Sequence, residues 1–290
     1  MKIVVIGKNG QLAHELQQLD SSLICLGRED INLFDYDSME HILVTYKPDA
    51  IINASAYTAV DKAESEQEEA FLLNHKAVEH LTYYCEKTDC HLVHVSTDYV
   101  FSGDKGEPYL VDDPHAPLGV YGASKAAGES VIMSKIADNS CIIRTSWVYS
   151  RHGGNFVKTM LRLMAEKPEL SVIDDQVGSP TSAAGLASIC KYAAEYRVSG
   201  IHHYTDAGVA SWYDFAVAIQ RIGLDLGLLS KVISIYPIPT SAYPTPAKRP
   251  TYSVLSKSTL KSSFAGLQPK HWQIELESVI SNLSKQNKSE

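Results

Sequence analysis

The chain has 290 residues, a formal net charge of −8 and 44% hydrophobic residues, an apolar content that excludes an intrinsically disordered protein. The negative charge argues against nucleic-acid partners, which need a basic surface, and no apolar run approaches the roughly 20 residues of a membrane helix. Its five cysteines are odd in number and form no C-x-x-C pair, so we expect neither a disulfide framework nor a zinc ribbon, but a reduced, cytoplasmic protein.

The first half of the chain alternates short apolar runs with helical patterns. Apolar runs at 3–6, 23–26, 50–52, 92–95 and 141–143 predict five strands. Helical spacing of apolar residues predicts intervening helices, including a long one from about Lys62 to Lys87. Continuous apolar strands are typical of a parallel sheet buried on both faces. The sequence therefore predicts an α/β fold with a doubly wound, parallel Rossmann sheet.

The pattern changes after about residue 150. We predict a sheet domain over residues 1–150 and a smaller α/β C-terminal substrate domain that takes up most of residues 151–290. A strand at 171–173 and a helix near 182–196 can still belong to the sheet, so residues 171–198 are expected to return to the first domain.

Three further elements are predicted in the C-terminal part. Ser211 and Asp214 form a variant of the capping box, which predicts a helix start. Residues 236–250 carry five of the 12 prolines and are predicted to form a loop. A last helix is expected over 271–283.

A glycine-rich turn follows the first predicted strand. In Gly7-x-x-Gly10-x-x-Ala13, Gly7 allows a tight turn and Gly10 lets the backbone approach a pyrophosphate. The N-terminus of the following helix favours such an anion. The motif therefore predicts that residues 1–150 bind a dinucleotide.

The end of the second strand bears on the choice of cofactor. An acid at this position accepts a hydrogen bond from the 2′-hydroxyl of NAD, whereas an arginine suits the 2′-phosphate of NADP. Arg28 favours NADP, while Glu29 and Asp30 leave NAD open. We expect NADPH, with NADH as the alternative.

Two tyrosine–lysine pairs have the spacing Tyr-x-x-x-Lys. A lysine one helical turn after a tyrosine lies on the same helix face and can stabilise the phenolate. Tyr121 and Lys125 follow a loop and open a helix, where site residues can face a cofactor. Tyr83 and Lys87 lie within the long helix, so we assign them to packing or surface.

The segment from Ser96 to Phe101 follows the fourth strand. Ligands of open parallel sheets bind beyond the carboxyl ends of the strands. Thr97 is therefore placed to donate a hydrogen bond to a reacting carbonyl oxygen, although Ser-Thr-Asp at a strand end is also ordinary turn chemistry.

These motifs together resemble the extended short-chain dehydrogenase/reductases. Within that class the chain resembles the dTDP-4-dehydrorhamnose reductase family, through segments in the family's order along nearly the whole sequence: GKNGQLA, HVSTDYVFSG, VYGASKAAGE, RTSWVYS, DDQVGSPT and SAYPTPAKRP. The resemblance implies NADPH-dependent reduction of the C4 ketone of dTDP-4-dehydro-6-deoxy-L-mannose to dTDP-L-rhamnose for polysaccharide synthesis.

The resemblance also implies roles for individual residues. The catalytic residues would be Thr97, Tyr121 and Lys125. The cofactor would be contacted at its pyrophosphate by Gly10, Gln11 and Leu12, at its adenine side by Asn32 and Leu33, and at its nicotinamide side by Ala56, Tyr57 and Thr58. The sugar nucleotide would be contacted by Asp98, Trp147 and the segment from Tyr243 to Arg249, with Arg249 pairing with a phosphate oxygen.

Metal binding is not favoured by the sequence. Some members of this family dimerise through a magnesium ion held by glutamates of both chains. Glu15 is present, but the stretch 182–185 lacks the second acid. We therefore expect no metal, a small-molecule partner, and a monomer or homodimer.

Two other functions stay open. Sugar-nucleotide dehydratases and epimerases share the fold, but the dehydratases usually carry Glu where this chain has Tyr99. A non-catalytic, NADP-binding regulatory subunit of methionine adenosyltransferase also resembles the family and can keep the tyrosine–lysine pair.

Overall fold

A computed structural model describes residues 1–287. Its strands are β1 (Ile3–Ile6), β2 (Ile24–Leu26), β3 (Ala50–Asn53), β4 (His91–Thr97), β5 (Ser140–Thr145), β6 (Val148–Tyr149), β7 (Glu169–Ile173), β8 (Val177–Gly178), β9 (Thr181–Ser182), β10 (Gly200–His203), β11 (Ala210–Ser211) and β12 (Ser234–Ile238). Its α-helices are α1 (Gln11–Leu19), α2 (Tyr36–Tyr46), α3 (Val60–Ala63), α4 (Gln67–Phe71), α5 (Ala77–Thr88), α6 (Val120–Ile136), α7 (Phe156–Glu166), α8 (Ala183–Tyr196), α9 (Trp212–Asp225), α10 (Leu260–Ser263) and α11 (Trp272–Asn287).

The large sheet has six strands in the order β10-β5-β4-β3-β1-β2, and every pairing in it is parallel. This arrangement confirms the predicted doubly wound α/β fold and its first five strands. The chain turns back between β1 and β3, so a crevice forms beyond the carboxyl ends of these strands.

Both faces of this sheet are buried, as continuous apolar strands require. Alternate residues of β1 illustrate the division, because Val5 packs with α1 and α8 whereas Val4 packs with α2 and α5. The helices therefore cover both faces of the sheet, and only the ends of its strands are left open to ligands.

The long helix predicted over 62–87 is interrupted. The chain forms α3 and α4, then a π-helical turn over Leu72–Lys76, and only then α5. Asn74 within the π turn is buried, and its amide bonds to the backbone of Tyr57 and to the hydroxyl of Ser124. These tertiary bonds explain the interruption, which local helical spacing does not reveal.

Two predictions for the C-terminal part of the chain are wrong. The strand expected at 171–173 does not join the large sheet, because β7 pairs in parallel with β12 in a separate two-stranded sheet. Part of the predicted loop 236–250 is therefore strand. Val172 of β7 packs with α7, α9 and α11 instead of with the large sheet. By contrast, α8 packs against α1, β3 and β4 of the large sheet.

Two other C-terminal predictions are confirmed. Ser211 and Asp214 form a complete capping box at the start of α9. The last helix begins at Trp272, close to the expected residue. In the described part of the chain, no helix is long and apolar enough to cross a membrane.

Candidate active site

A cavity of about 500 Å³ lies beyond the carboxyl ends of β1, β3, β4 and β5. It brings together many of the residues that the sequence predicts for cofactor, catalysis and substrate: Gly10, Gln11, Leu12, Ala56, Thr58, Thr97, Asp98, Tyr121, Lys125 and Trp147. The volume lies in the range of small-molecule sites.

The glycine turn has the geometry of a pyrophosphate cradle. Gly7 has a φ of +104°, and a Cβ there would lie 2.9 Å from the carbonyl carbon of Ala54. Gly10 precedes α1 and no side chain caps this helix start. The first N–H groups of α1 are therefore available to an anion at the cavity wall, so these residues fit a dinucleotide.

The segment after β2 lies outside the cavity lining. Asp30 accepts hydrogen bonds from the backbone N–H of Gly27 and from Lys8, and Lys8 also pairs with Glu29. Arg28 and Asn32 are exposed, whereas the side chain of Leu33 is buried in the core under α2. Glu29 and Asp30, the two acids that leave NAD as an alternative cofactor, are thus paired within the protein, whereas Arg28 faces solvent.

Tyr121 lies in the first turn of α6 and faces the cavity. Burial raises the pKa of its phenol to about 12, while a hydrogen bond with Thr97 acts in the opposite direction. The Thr97 hydroxyl also donates to Asp98 at 3.0 Å. Both hydroxyls therefore face the same part of the cavity. A ligand oxygen there can accept from Tyr121, and also from Thr97 once the Thr97 proton turns from Asp98 to the ligand.

Asp98 is a buried carboxyl beside these hydroxyls. Burial raises its pKa to about 6, although the hydroxyls of Ser253 and Thr97 oppose the shift. Its carboxylate lines the cavity, where it can accept hydrogen bonds from a ligand.

Lys125 follows Tyr121 by one turn of α6, and its side chain is only 1% exposed. Its ammonium group donates to the carbonyl of Val95 at 2.7 Å and lies 3.2 Å from Nε2 of His94. Burial lowers the pKa of Lys125 to about 8. The positive charge is thus held under the cavity floor, where it can stabilise a phenolate.

A buried ion pair, which the sequence analysis did not assign, fixes α6 to the sheet. Glu129, one turn after Lys125, accepts hydrogen bonds from Nε and Nη2 of Arg144 in β5, at 3.1 and 2.7 Å. Burial acts to raise the pKa of Glu129, but His115 and Arg144 lower it to about 2. The spacing Tyr121, Lys125, Glu129 on one helix face is the signal that points to this anchor.

Trp147 lines the cavity with a strained backbone. Its φ is +50°, unusual for a residue with a Cβ, and its ring stacks on Trp212 with centroids 3.6 Å apart. A Cβ at Gly178 would lie 2.9 Å from the Trp147 ring. The indole is therefore fixed at the cavity wall, and Trp212 is a contributor that the sequence analysis missed.

Besides Gly7 and the residues after β2, three further predicted residues lie outside the cavity lining. The Tyr57 hydroxyl donates to Glu66. Tyr243 is 59% exposed. Arg249 pairs with Asp61 of α3 at 2.8 Å, so its guanidinium meets a carboxylate of the protein in this structure.

Among residues 1–287, no group of three or more histidine, cysteine, aspartate or glutamate side chains is arranged to hold a metal ion. Glu15 is half-buried, and burial raises its pKa.

The Rossmann sheet, the glycine turn and the Thr97–Tyr121–Lys125 cavity define an NAD(P)-dependent oxidoreductase of the short-chain dehydrogenase/reductase class. More narrowly, the chain belongs to the family described as RmlD substrate binding domain, whose model matches residues 1–285.

Individual relatives match over nearly their whole length. The dTDP-4-dehydrorhamnose reductase of Escherichia coli K12 is 39% identical over 295 residues, covering 98% of each chain. A crystal structure of a dTDP-4-dehydrorhamnose reductase from Clostridium acetobutylicum has a TM-score of 0.91 at 36% identity, covering 98% of this chain and 99% of that one. That of the Bacillus anthracis enzyme in complex with NADP has a TM-score of 0.89 at 32% identity, covering 97% and 100%.

Proposed function

We propose that the chain reduces the C4 ketone of dTDP-4-dehydrorhamnose with NADPH and forms dTDP-L-rhamnose for polysaccharide synthesis. The observation that carries this function is the meeting of Thr97, Tyr121 and Lys125 in the cavity that also contains the glycine turn. Full-length similarity to reductases of this name supports the substrate.

The reaction needs one proton on the sugar oxygen. Bound NADPH supplies the hydride for the C4 carbon. Tyr121 donates the proton to O4 as general acid, and Thr97 donates a hydrogen bond to the same oxygen as its negative charge grows. Lys125 stabilises the phenolate that Tyr121 becomes, because the ammonium group lies on the same helix face one turn away.

The cofactor preference follows from the segment after β2. Asp30 and Glu29 pair with Lys8, and Asp30 also accepts from the Gly27 N–H, so that Lys8 offsets part of the negative charge that would oppose a bound phosphate. Arg28 is exposed beside them and suits a 2′-phosphate. We assign Arg28 to the phosphate of NADPH, with Asn32 and Leu33 flanking the adenine side.

The other cofactor contacts lie along the cavity. We assign the pyrophosphate to Gly10, Gln11 and Leu12 in the cavity lining and to Gly7 in the turn before them. We assign the nicotinamide side to Ala56 and Thr58 in the lining, with Tyr57 between them outside it. The N–H groups of α1 and the open floor beyond β3 support these roles.

The substrate would bind between the two parts of the chain. Residues 1–150 form the dinucleotide-binding part, joined by α8 from 171–198, and 151–290 contribute mainly to substrate binding. Asp98 and Trp147 contact the sugar. Tyr243 and Arg249 close over the diphosphate, which requires Arg249 to exchange the Asp61 carboxylate for a phosphate oxygen.

The chain is assigned to the cytoplasm as a monomer or homodimer. All five cysteines are free, and Cys85, Cys90, Cys141 and Cys190 are buried, as expected in a reducing compartment.

The test is an assay with purified chain, NADPH and dTDP-4-dehydrorhamnose. We expect the NADPH absorbance to fall and a product that co-elutes with dTDP-L-rhamnose. If NADPH binds but is not consumed, and the chain binds a partner protein tightly, it is a regulatory module and the proposed function is wrong.

A further inference from the structure

The ammonium group of Lys125 contacts a histidine, His94, that takes no part in the reaction steps proposed above. His94 lies in β4 with a fully buried side chain, and its Nε2 is 3.2 Å from the ammonium nitrogen of Lys125. We propose that His94 is the positioning residue of Lys125 and sets the direction of its ammonium group beneath the phenol. This proposal rests on the proposed function, because it assigns His94 to the same reaction.

The geometry gives the buried ammonium group a defined seat. A buried ammonium needs acceptors, and its four-carbon stem is flexible. In the described part of the chain, two groups hold the Lys125 nitrogen: the Val95 carbonyl accepts its hydrogen bond at 2.7 Å, and Nε2 of His94 lies at 3.2 Å and is an acceptor when the ring proton is on Nδ1. The third N–H direction is left for the cavity, which Lys125 lines. These two contacts thus orient the Lys125 side chain towards the cavity.

The far side of the imidazole is also held. Nδ1 of His94 lies 3.1 Å from the side-chain amide of buried Asn53, and the Asn53 carbonyl accepts hydrogen bonds from the N–H and hydroxyl of Ser55. Ser55 lines the cavity. A chain of hydrogen bonds therefore runs from Lys125 through His94 and Asn53 back to the cavity wall, and it prevents the ring from turning.

The same chain distinguishes the two charge states of Lys125. If the Asn53 amide donates to Nδ1, the ring proton is on Nε2 and points at Lys125, which suits a neutral amine. An ammonium group instead needs Nε2 as acceptor and the ring proton on Nδ1. The Asn53 amide must then turn over, so that its side-chain oxygen faces the ring and no longer accepts the hydrogen bonds of Ser55.

The ring itself stays neutral. Burial and the charge of Lys125 hold the pKa of His94 well below its usual range, while Glu129, also on α6, opposes this. From β3 the ring meets the uncharged amide of Asn53. The tautomer of His94 should therefore report the protonation of Lys125.

Two substitutions test the role in catalysis. His94→Phe keeps a ring of similar size but removes the acceptor, and we expect kcat to fall about 10- to 100-fold, because a hydrogen bond to a buried charge is lost. KM for the dTDP-sugar should stay within about twofold, since the sugar does not contact the histidine. His94→Gln returns an acceptor oxygen and should recover a large part of kcat.

His91 provides the matched control. It lies on the same strand, is equally buried, and pairs with Asn139 instead of with a site residue. His91→Phe should keep kcat. If folded His94→Phe keeps the wild-type kcat, or if His91→Phe lowers kcat as much, the proposal is overturned.

A second measurement needs neither substrate nor a His94 variant. In protein with ¹⁵N-labelled histidine rings, Lys125→Met should shift the Nε2 resonance of His94 and leave that of His91 in place. An unchanged His94 resonance would overturn the proposal. An inactive wild-type chain would instead overturn the proposed function, while the resonance still decides the role of His94.

Discussion

Tyr121 and Lys125 lie one turn apart on α6, and both side chains reach the same cavity beyond β4. Each side chain of this pair has a hydrogen-bond partner on or after β4. The phenol meets the Thr97 hydroxyl, while the ammonium group is seated on the Val95 carbonyl. The phenol is protonated at neutral pH, but burial raises its pKa to about 12 and so makes it a weaker acid. Proton donation therefore depends on a nearby cation that stabilises the phenolate, which is the role proposed for Lys125.

Tyr121→Phe should lower kcat by about 10²- to 10⁴-fold, the range for loss of a general acid. NADPH binding, measured by fluorescence titration, should be retained because the ring remains. Tyr83→Phe is the control. Tyr83 belongs to the other Tyr-x-x-x-Lys pair, but it is 50% exposed on α5 and packs beside Tyr36. Near-wild-type turnover of Tyr121→Phe would contradict the assignment.

Thr97→Val removes a hydroxyl while keeping the shape of the side chain. We expect kcat to fall about 10²- to 10³-fold, because a hydrogen bond to the developing oxyanion is lost. Thr97→Ser should retain most of the activity. Thr82→Val is a matched control, since Thr82 is a buried threonine of α5 that bonds to the Val78 carbonyl. Equal losses from both valine substitutions would indicate a structural effect only.

Asp98 should make the stability of the protein depend on pH. Its pKa is raised from 3.8 to about 6, so between these values the folded state keeps a proton that the unfolded state has lost. The contribution of Asp98 to stability therefore falls as pH rises through this window, by up to about 3 kcal/mol.

Asp98→Asn should remove this cost. In urea unfolding at pH 8 we expect the variant to gain about 1–3 kcal/mol over wild type, and at pH 4 to gain little. Asp112→Asn on the surface should change either value by less than about 0.5 kcal/mol. If Asp98→Asn raised the free energy of unfolding equally at both pH values, the gain would not come from the ionisation of Asp98.

Arg249→Met should raise KM for the dTDP-sugar by about 10-fold or more, because a charge-assisted contact to phosphate is lost. The affinity for NADPH should not change. Arg162→Met is the control and should leave KM unchanged, since Arg162 is 60% exposed on α7 and pairs with Glu166. If Arg249→Met leaves KM unaltered, the guanidinium serves only its ion pair with Asp61.

Arg28→Ala should raise KM for NADPH by about 10-fold and leave KM for NADH nearly unchanged, because only NADPH carries the 2′-phosphate. NADH is thus an internal control within one variant. Parallel changes for both cofactors would place Arg28 away from the phosphate.

Local patterns were sufficient to predict the first five strands of the large sheet and the glycine turn. The strands of the first half are continuous apolar runs, and Gly7 adopts the positive φ that its position after β1 predicts. In contrast, β10 reads Gly-Ile-His-His and has no apolar run, so the sequence gives no strand signal there. Its His203 is buried against Arg144 instead.

Features that depend on tertiary contacts were not predictable. Nothing in the spacing of residues 62–87 indicates that the Asn74 amide bonds to the Tyr57 backbone and accompanies a π turn. The pairing of β7 with β12 and the ion pair of Arg249 with Asp61 join segments distant in sequence. For the site, the predicted residues Thr97, Tyr121 and Lys125 do line one cavity, but their roles stay predictions. The sequence did not reveal the ion pair of Glu129 with Arg144 that supports α6.

The most direct test is a crystal structure of the chain with NADPH and dTDP-L-rhamnose. We expect the sugar O4 to lie within about 3.2 Å of both the Tyr121 and the Thr97 hydroxyl oxygens, with Arg249 on a phosphate oxygen. A sugar bound with O4 outside hydrogen-bond distance of Tyr121 would rule out Tyr121 as the proton donor.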